Sequence, residues 1–125
     1  MILDTNALSA VADGEPKAIA QIAGARTIAL PVIVLGEYRF GFARSHRRAD
    51  YEHWLNRFVS ACRVLEVNVE TAVRYAQVRV ELKRAGTPIP ANDAWIAALC
   101  RQHALPILTR DGHFDLVDGI QRIGF

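Results

Sequence analysis

Four carboxylates occupy positions where a freely solvated acid is not expected. Asp4 follows the apolar run Met1-Ile2-Leu3 at once, and Asp111 follows Ile107-Leu108-Thr109-Arg110. Glu37 lies inside Val32-Ile33-Val34-Leu35-Gly36-Glu37-Tyr38-Arg39-Phe40, where helical spacing sets it on one face with Ile33 and Phe40. Asp93 introduces the apolar stretch Ala94-Trp95-Ile96-Ala97-Ala98-Leu99. An unpaired carboxylate on an apolar face shifts its pKa, pairs with a cation or binds metal. Three of the acids also have a plainer explanation: Glu37 could pair with an arginine, and Asp4 and Asp93 could cap helices. Gathered within a few ångströms, however, four carboxylates would repel one another unless positive charge intervened, and such hard oxygen ligands suit Mg²⁺ or Mn²⁺. None of His46, His53, His103 and His113 forms an i, i+4 pair or sits beside a cysteine, so zinc patterns are missing. No Walker A or G-x-G-x-x-G phosphate loop occurs either.

Short strands and helices must bring these acids together. The runs Met1–Leu3, Thr27–Leu30, Val64–Val67 and Leu105–Thr109 read as brief strands, with Gln121–Ile123 as a fifth. Helical periodicity takes over between them. Val32 to Ala43 follows Pro31, and Ala94 to Cys100 closes near His103. Val69, Ala72, Val73, Ala76 and Val80 form a stripe expected to lie on a core, in a helix that ends before Gly86 and Pro88. Alternating strands and helices predict an α/β fold with a central, mainly parallel sheet of about four to five short strands flanked by helices. In such open sheets ligands bind beyond the carboxyl ends of the strands, where Asp4 and Asp111 emerge.

The whole chain sets the bounds. Its 125 residues, 51% of them apolar, suit one compact domain spanning 1–125. Asp4 interrupts the opening apolar residues too early for an export signal, and no apolar run reaches the roughly 20 residues of a membrane span. The expected location is the cytoplasm, with no membrane partner. Cys62 and Cys100, far apart, read as free buried thiols rather than a disulfide framework. A net charge of +2 permits a polyanionic partner without demanding one.

At four places the residues carry a family resemblance. Ile2-Leu3-Asp4-Thr5-Asn6, Val34-Leu35-Gly36-Glu37, Asn92-Asp93-Ala94-Trp95-Ile96-Ala97-Ala98 and Leu108-Thr109-Arg110-Asp111-Gly112-His113-Phe114-Asp115 resemble the motif blocks of PIN domains, in the family's order. The chain's size is similar to that of the toxin halves of VapBC-type toxin–antitoxin pairs. This resemblance implies a PIN-like fold and a metal-dependent endoribonuclease that hydrolyses RNA phosphodiester bonds at a carboxylate-bound Mg²⁺ or Mn²⁺ site, leaving a 5′-phosphate and a 3′-hydroxyl. It implies Asp4, Glu37, Asp93 and Asp111 as catalytic metal ligands, Asp115 as a further candidate, and Thr5, Asn6 and Thr109 as polar neighbours that orient them. It also implies a homodimer and a cognate VapB-type antitoxin.

The basic run Arg44-Ser45-His46-Arg47-Arg48 is placed to hold RNA phosphates through Arg44, Arg47 and Arg48, although such runs are often merely solvated. Arg39 and Arg110 are candidates for neutralising the acids. Tyr38, Phe40, Phe42, Trp54 and Phe58 suggest core packing before a binding groove. Two other functions compete. A haloacid-dehalogenase-like phosphatase would use an aspartate after the first strand, but its pattern needs a second aspartate where Asn6 stands. A non-catalytic RNA- or protein-binding module would keep the acids for structure alone.

Overall fold

Short apolar strands hand the chain to helices, at Asp4 after the first strand and at Pro31 after the second. The computed structural model describes residues 1–125. The elements are β1 (Ile2–Leu3), α1 (Thr5–Ala12), α2 (Pro16–Ala23), β2 (Ala29–Pro31), α3 (Val32–Phe42), α4 (Arg48–Ser60), β3 (Arg63–Leu65), α5 (Val69–Ala85), α6 (Ala91–His103), β4 (Ile107–Leu108) and β5 (Arg122–Ile123), with a 3-10 turn at Gly112–Leu116. All strand pairs are parallel, in the order β3-β2-β1-β4-β5. The α/β class and the fifth strand agree with the sequence reading, and the sheet is wholly rather than mainly parallel. No helix is long and apolar enough to cross a membrane.

This strand order fixes where a ligand can sit. From β1 the chain moves outward through β2 and β3, then crosses back to place β4 on the other side of β1. The direction of winding reverses between β1 and β4, and such a switch point opens a crevice at the carboxyl ends of the strands. Ile2 pairs with Ile107 and Leu3 with Leu108, so Asp4 and Thr109 leave the sheet side by side. Beneath them Ile2, Leu3, Leu30, Ile107 and Leu108 are fully buried.

Local signals explain the long helices. Asn68 and Thr71 form a reciprocal capping box at the start of α5, and Gly86, at a φ of 72°, ends it in the left-handed conformation that glycine adopts freely. The stripe on α5 needs correcting. Val69, Val73 and Val80 are 85%, 53% and 47% exposed, whereas Thr71, Val78 and Leu82 are buried, with Tyr75 half-buried on the same side. The helical period is right but its phase is shifted by two residues, because α5 docks on α6 through the Tyr75 side, where Tyr75 stacks on Trp95 at 3.8 Å between ring centroids.

Phe40 is likewise 85% exposed, so Glu37 does not share a buried face with it. The other aromatics do pack. Tyr38 meets Phe42 edge-on and Trp54 stacks on Phe58 at 4.9 Å. The Tyr38 hydroxyl is buried without a hydrogen-bond partner. Leaving such a group unmade costs about 1–3 kcal/mol, so Tyr38→Phe is expected to hold or raise stability by up to about 1 kcal/mol. Urea denaturation checks this, and a clear loss would mean that the hydroxyl finds a partner in solution.

Candidate metal centre

Asp4 leaves the carboxyl end of β1 only 5% exposed. Its Oδ1 accepts the Thr5 N–H at 2.8 Å, capping α1, while Oδ2 accepts the Thr109 hydroxyl at 2.7 Å and the Asn6 amide at 3.2 Å. Thr109, fully buried beyond β4, also accepts from Asn6 Nδ2 and from the Asp111 N–H, each at 3.0 Å. Asn6 Oδ1 takes the Arg110 N–H at 3.0 Å. The edges of β1 and β4 are thus laced across the switch point by Asp4, Asn6 and Thr109. Thr109→Val would strip a donor from Asp4 and leave two N–H groups without their acceptor, so a loss of about 1–3 kcal/mol is expected. Chemical denaturation measures it, and unchanged stability would contradict the network.

Glu37 arrives from the other side of β1, one turn into α3, where its Oε1 accepts the Thr5 hydroxyl at 3.2 Å. Asp93 lies in the first turn of α6. Pro90 occupies the N-cap there and no side chain caps the helix, so capping does not account for Asp93. Asp111 caps the 3-10 turn by accepting the His113 N–H at 2.9 Å. Burial is the main cause that pushes the carboxyls of Asp4, Glu37 and Asp93 above their ordinary range. The charge of Asp111 adds to the rise at Asp4 and Asp93, and those of Asp4 and Asp93 add to it at Glu37. Thr109, Thr5 and His113 oppose it through hydrogen bonds at Asp4, Glu37 and Asp93 respectively. All four acids therefore share one edge of the sheet.

A histidine that the sequence reading set aside joins them. His113 Nδ1 stands 3.0 Å from Asp93 Oδ2 and 3.2 Å from Asp111 Oδ1. The hydrogen bond to Asp93 raises the imidazole pKa most, with the charges of Asp111 and Asp93 adding to it. His113 lies in the same motif block as Asp111, two residues on, but its second partner Asp93 is twenty residues away on another element, which spacing along the chain does not reveal.

Other candidates fall outside the cluster. Asp115 is exposed and gives its carboxylate to Arg122 Nε at 2.7 Å. Arg39 donates to Asn56, and Arg110 pairs with Glu15 while lying over the Phe125 ring at 4.3 Å, so neither neutralises the acids. Arg44, Arg47 and Arg48 are exposed; Arg47 pairs with Asp50 and Arg48 with Glu52 along α4. Beside Glu37 and Thr5 opens a cavity of about 270 Å³ between α1, α3 and α4, which reaches Ser45 and Tyr51 within and just beyond the basic run. No arginine lines it, although the Arg47 guanidinium lies 5.6 Å from the centroid of the Tyr51 ring at that end.

The donor set fits a hard divalent cation. It consists of carboxylate oxygens with one imidazole, and burial and mutual repulsion hold three of the acids in need of positive charge. The Cys100 thiol is buried and pushed up to about 12, so it supplies no thiolate for a softer metal.

Residues 1–120 match the family model described as the PIN domain. The chain is 31% identical to "Ribonuclease VapC5" of Mycobacterium tuberculosis, covering 94% of this chain and 87% of the relative. It is 27% identical to the "tRNA(fMet)-specific endonuclease VapC" of Salmonella typhimurium, over 96% and 93% of the two chains. Among solved structures, DNA-bound VapBC from Salmonella typhimurium superposes with a TM-score of 0.88 at 26% identity, over 98% of this chain and 96% of that one. FitAcB from Neisseria gonorrhoeae does so at 0.85 and 28% identity, over 98% and 95%.

Proposed function

We propose, from the premise that this chain belongs to the PIN-domain family, that it is a divalent-metal-dependent endoribonuclease and the toxin component of a type II toxin–antitoxin pair. The observation that carries this reading is the convergence of Asp4, Glu37, Asp93 and Asp111 at the switch point between β1 and β4, three of them with carboxyls raised by burial and by one another. The whole of 1–125 acts as one catalytic domain, and those four side chains hold Mg²⁺ or Mn²⁺. A cation there would orient the scissile phosphate, acidify an attacking water and stabilise charge on the leaving oxygen.

The protein's own groups do the rest. Thr109 and Asn6 fix Oδ2 of Asp4, and Thr5 fixes Glu37, so the ligands are preorganised before any ion arrives. Arg44, Arg47 and Arg48, in the run that follows α3, take the RNA backbone beside the cut, with Arg47 lying over Tyr51 at the far end of the depression that starts at Glu37. The products are a 5′-phosphate and a 3′-hydroxyl. The relatives named as VapC ribonucleases and the neighbours solved as VapBC and FitAB complexes support an RNA substrate and a VapB-type antitoxin as the partner. A homodimer working in the cytoplasm completes the reading.

The test is cleavage of total cellular RNA by purified protein with Mg²⁺, with Mn²⁺ and with EDTA. Discrete fragments that require a metal are the expected result. No cleavage with either ion, in a preparation free of antitoxin, would reject the nuclease.

A further inference from the structure

Of the side chains at the acidic edge, His113 alone brings a ring nitrogen to two carboxylates at once. Nδ1 lies 3.0 Å from Asp93 and 3.2 Å from Asp111, and ligand atoms of the three residues all fall within 4.8 Å of one another. Two donors bound side by side on an octahedral ion, with bonds of about 2.1 Å, stand about 3 Å apart. The nitrogen is therefore spaced from each carboxylate as neighbouring ligands of a single ion would be. Its position is held from the backbone, since the His113 N–H donates to Asp111 Oδ1 at 2.9 Å. Of the nearby cationic side chains, Arg110 pairs with Glu15, and Arg122 pairs with Asp115 while feeling the charge of Asp111. The ring is 45% exposed, and its Nδ1 already faces both carboxylates.

We propose that His113 is a nitrogen ligand of the divalent-ion site and biases that site towards Mn²⁺ over Mg²⁺. The inference rests on the metal-dependent reading above. Mg²⁺ is hard, favours oxygen and gives up its waters reluctantly, whereas Mn²⁺ stands closer to the transition metals that imidazole suits. An all-carboxylate site would distinguish the two ions weakly. One that adds His113 binds Mn²⁺ through an extra donor that Mg²⁺ gains little from.

The experiment uses the full chain with Mn²⁺ alone and with Mg²⁺ alone, comparing wild type with His113→Ala. This variant keeps the backbone N–H that Asp111 accepts and removes only the exposed ring. Affinities come from calorimetry, and the ligand atom from electron spin-echo modulation of bound Mn²⁺. Wild type is expected to show a ¹⁴N coupling that His113→Ala lacks. The variant's Kd for Mn²⁺ rises about tenfold or more, while its Kd for Mg²⁺ stays within about twofold. Mn²⁺ bound to wild type without nitrogen coupling, or an equal weakening of both ions, overturns the proposal and leaves the ring a hydrogen-bond partner of the acids. If wild type binds neither ion, the metal-dependent reading fails as well; if it binds both with no nitrogen coupling, only this inference does.

Discussion

Asp4→Asn is expected to reduce metal-dependent RNA cleavage by at least about 10³-fold, with Asp93→Asn and Asp111→Asn close behind. The reason is electrostatic. Each change removes one negative charge from the set that holds the cation, and metal-supplied stabilisation of the transition state is worth several kcal/mol, or about one decade of rate for each 1.4. Loss of fold is not the cause, because asparagine caps helices as well as aspartate and can still accept the Thr5 N–H. Without metal, the thermal midpoint of Asp4→Asn should shift only modestly, since the variant no longer buries a carboxylate beside Asp111 but its amide nitrogen cannot accept from Thr109 and Asn6 as Oδ2 does. Asp115→Asn is the matched control. Its exposed carboxylate is engaged with Arg122 outside the cluster, so cleavage should stay within about twofold, as expected of a surface ion pair. Equal loss of activity in Asp115→Asn and Asp4→Asn would refute the four-acid assignment.

The second large effect joins metal to pH. Asp4, Glu37 and Asp93 have folded-state pKa values above their ordinary ones, so the native protein holds their protons longer than the unfolded chain. Their contribution to stability is present below the ordinary carboxylate range and is lost as pH rises through the raised values. His113, also raised, acts in the same direction: its contribution is present below the ordinary histidine range and is lost as pH rises through the raised value. Glu81 and Asp115, lowered by Arg101 and Arg122, and His103 and the Met1 amine, lowered chiefly by burial, act oppositely, but these are four scattered surface groups where screening is strong, against four raised groups gathered at one site. Metal-free protein should therefore melt at a lower temperature at pH 8 than at pH 5. Mn²⁺ or Mg²⁺ should reverse the order, because protons and metal compete for the same oxygens. At a hundredfold excess over its Kd the ion stabilises by about 2.7 kcal/mol, roughly 10 °C for a chain of this size. Thermal melts at pH 5 and pH 8, in EDTA and with metal, measure both halves. A metal-free midpoint that climbs from pH 5 to pH 8, or a metal response equal at both, would count against an acidic metal centre.

Much of the site was legible before the fold was known, for a physical reason. An apolar run that stops at a carboxylate marks a strand leaving a sheet, and that is how Asp4 and the segment carrying Asp111 declare themselves. Glu37 stood out because it interrupts an apolar helix. Asp93 was ambiguous with a cap until Pro90 proved to hold that position. Less was visible where amphipathicity is weak. In α4 only Leu55 is fully buried, so no clean stripe announces the helix, and α2 showed little beyond Pro16 at its start.

Local periodicity and the residues that stop a strand dictate the strand–helix alternation, the mainly parallel class and the acids at element ends. Long-range packing settled three further points. It set the phase of α5, where Val69 and Val73 are as apolar as Val78, so docking on α6 chose the buried face. It paired Arg110 with Glu15, and Arg122 with Asp115, leaving only the charge of Arg122 acting on Asp111. It carried His113, already beside Asp111 in one turn, to Asp93, a meeting that depends on how α6 and the turn after β4 pack together.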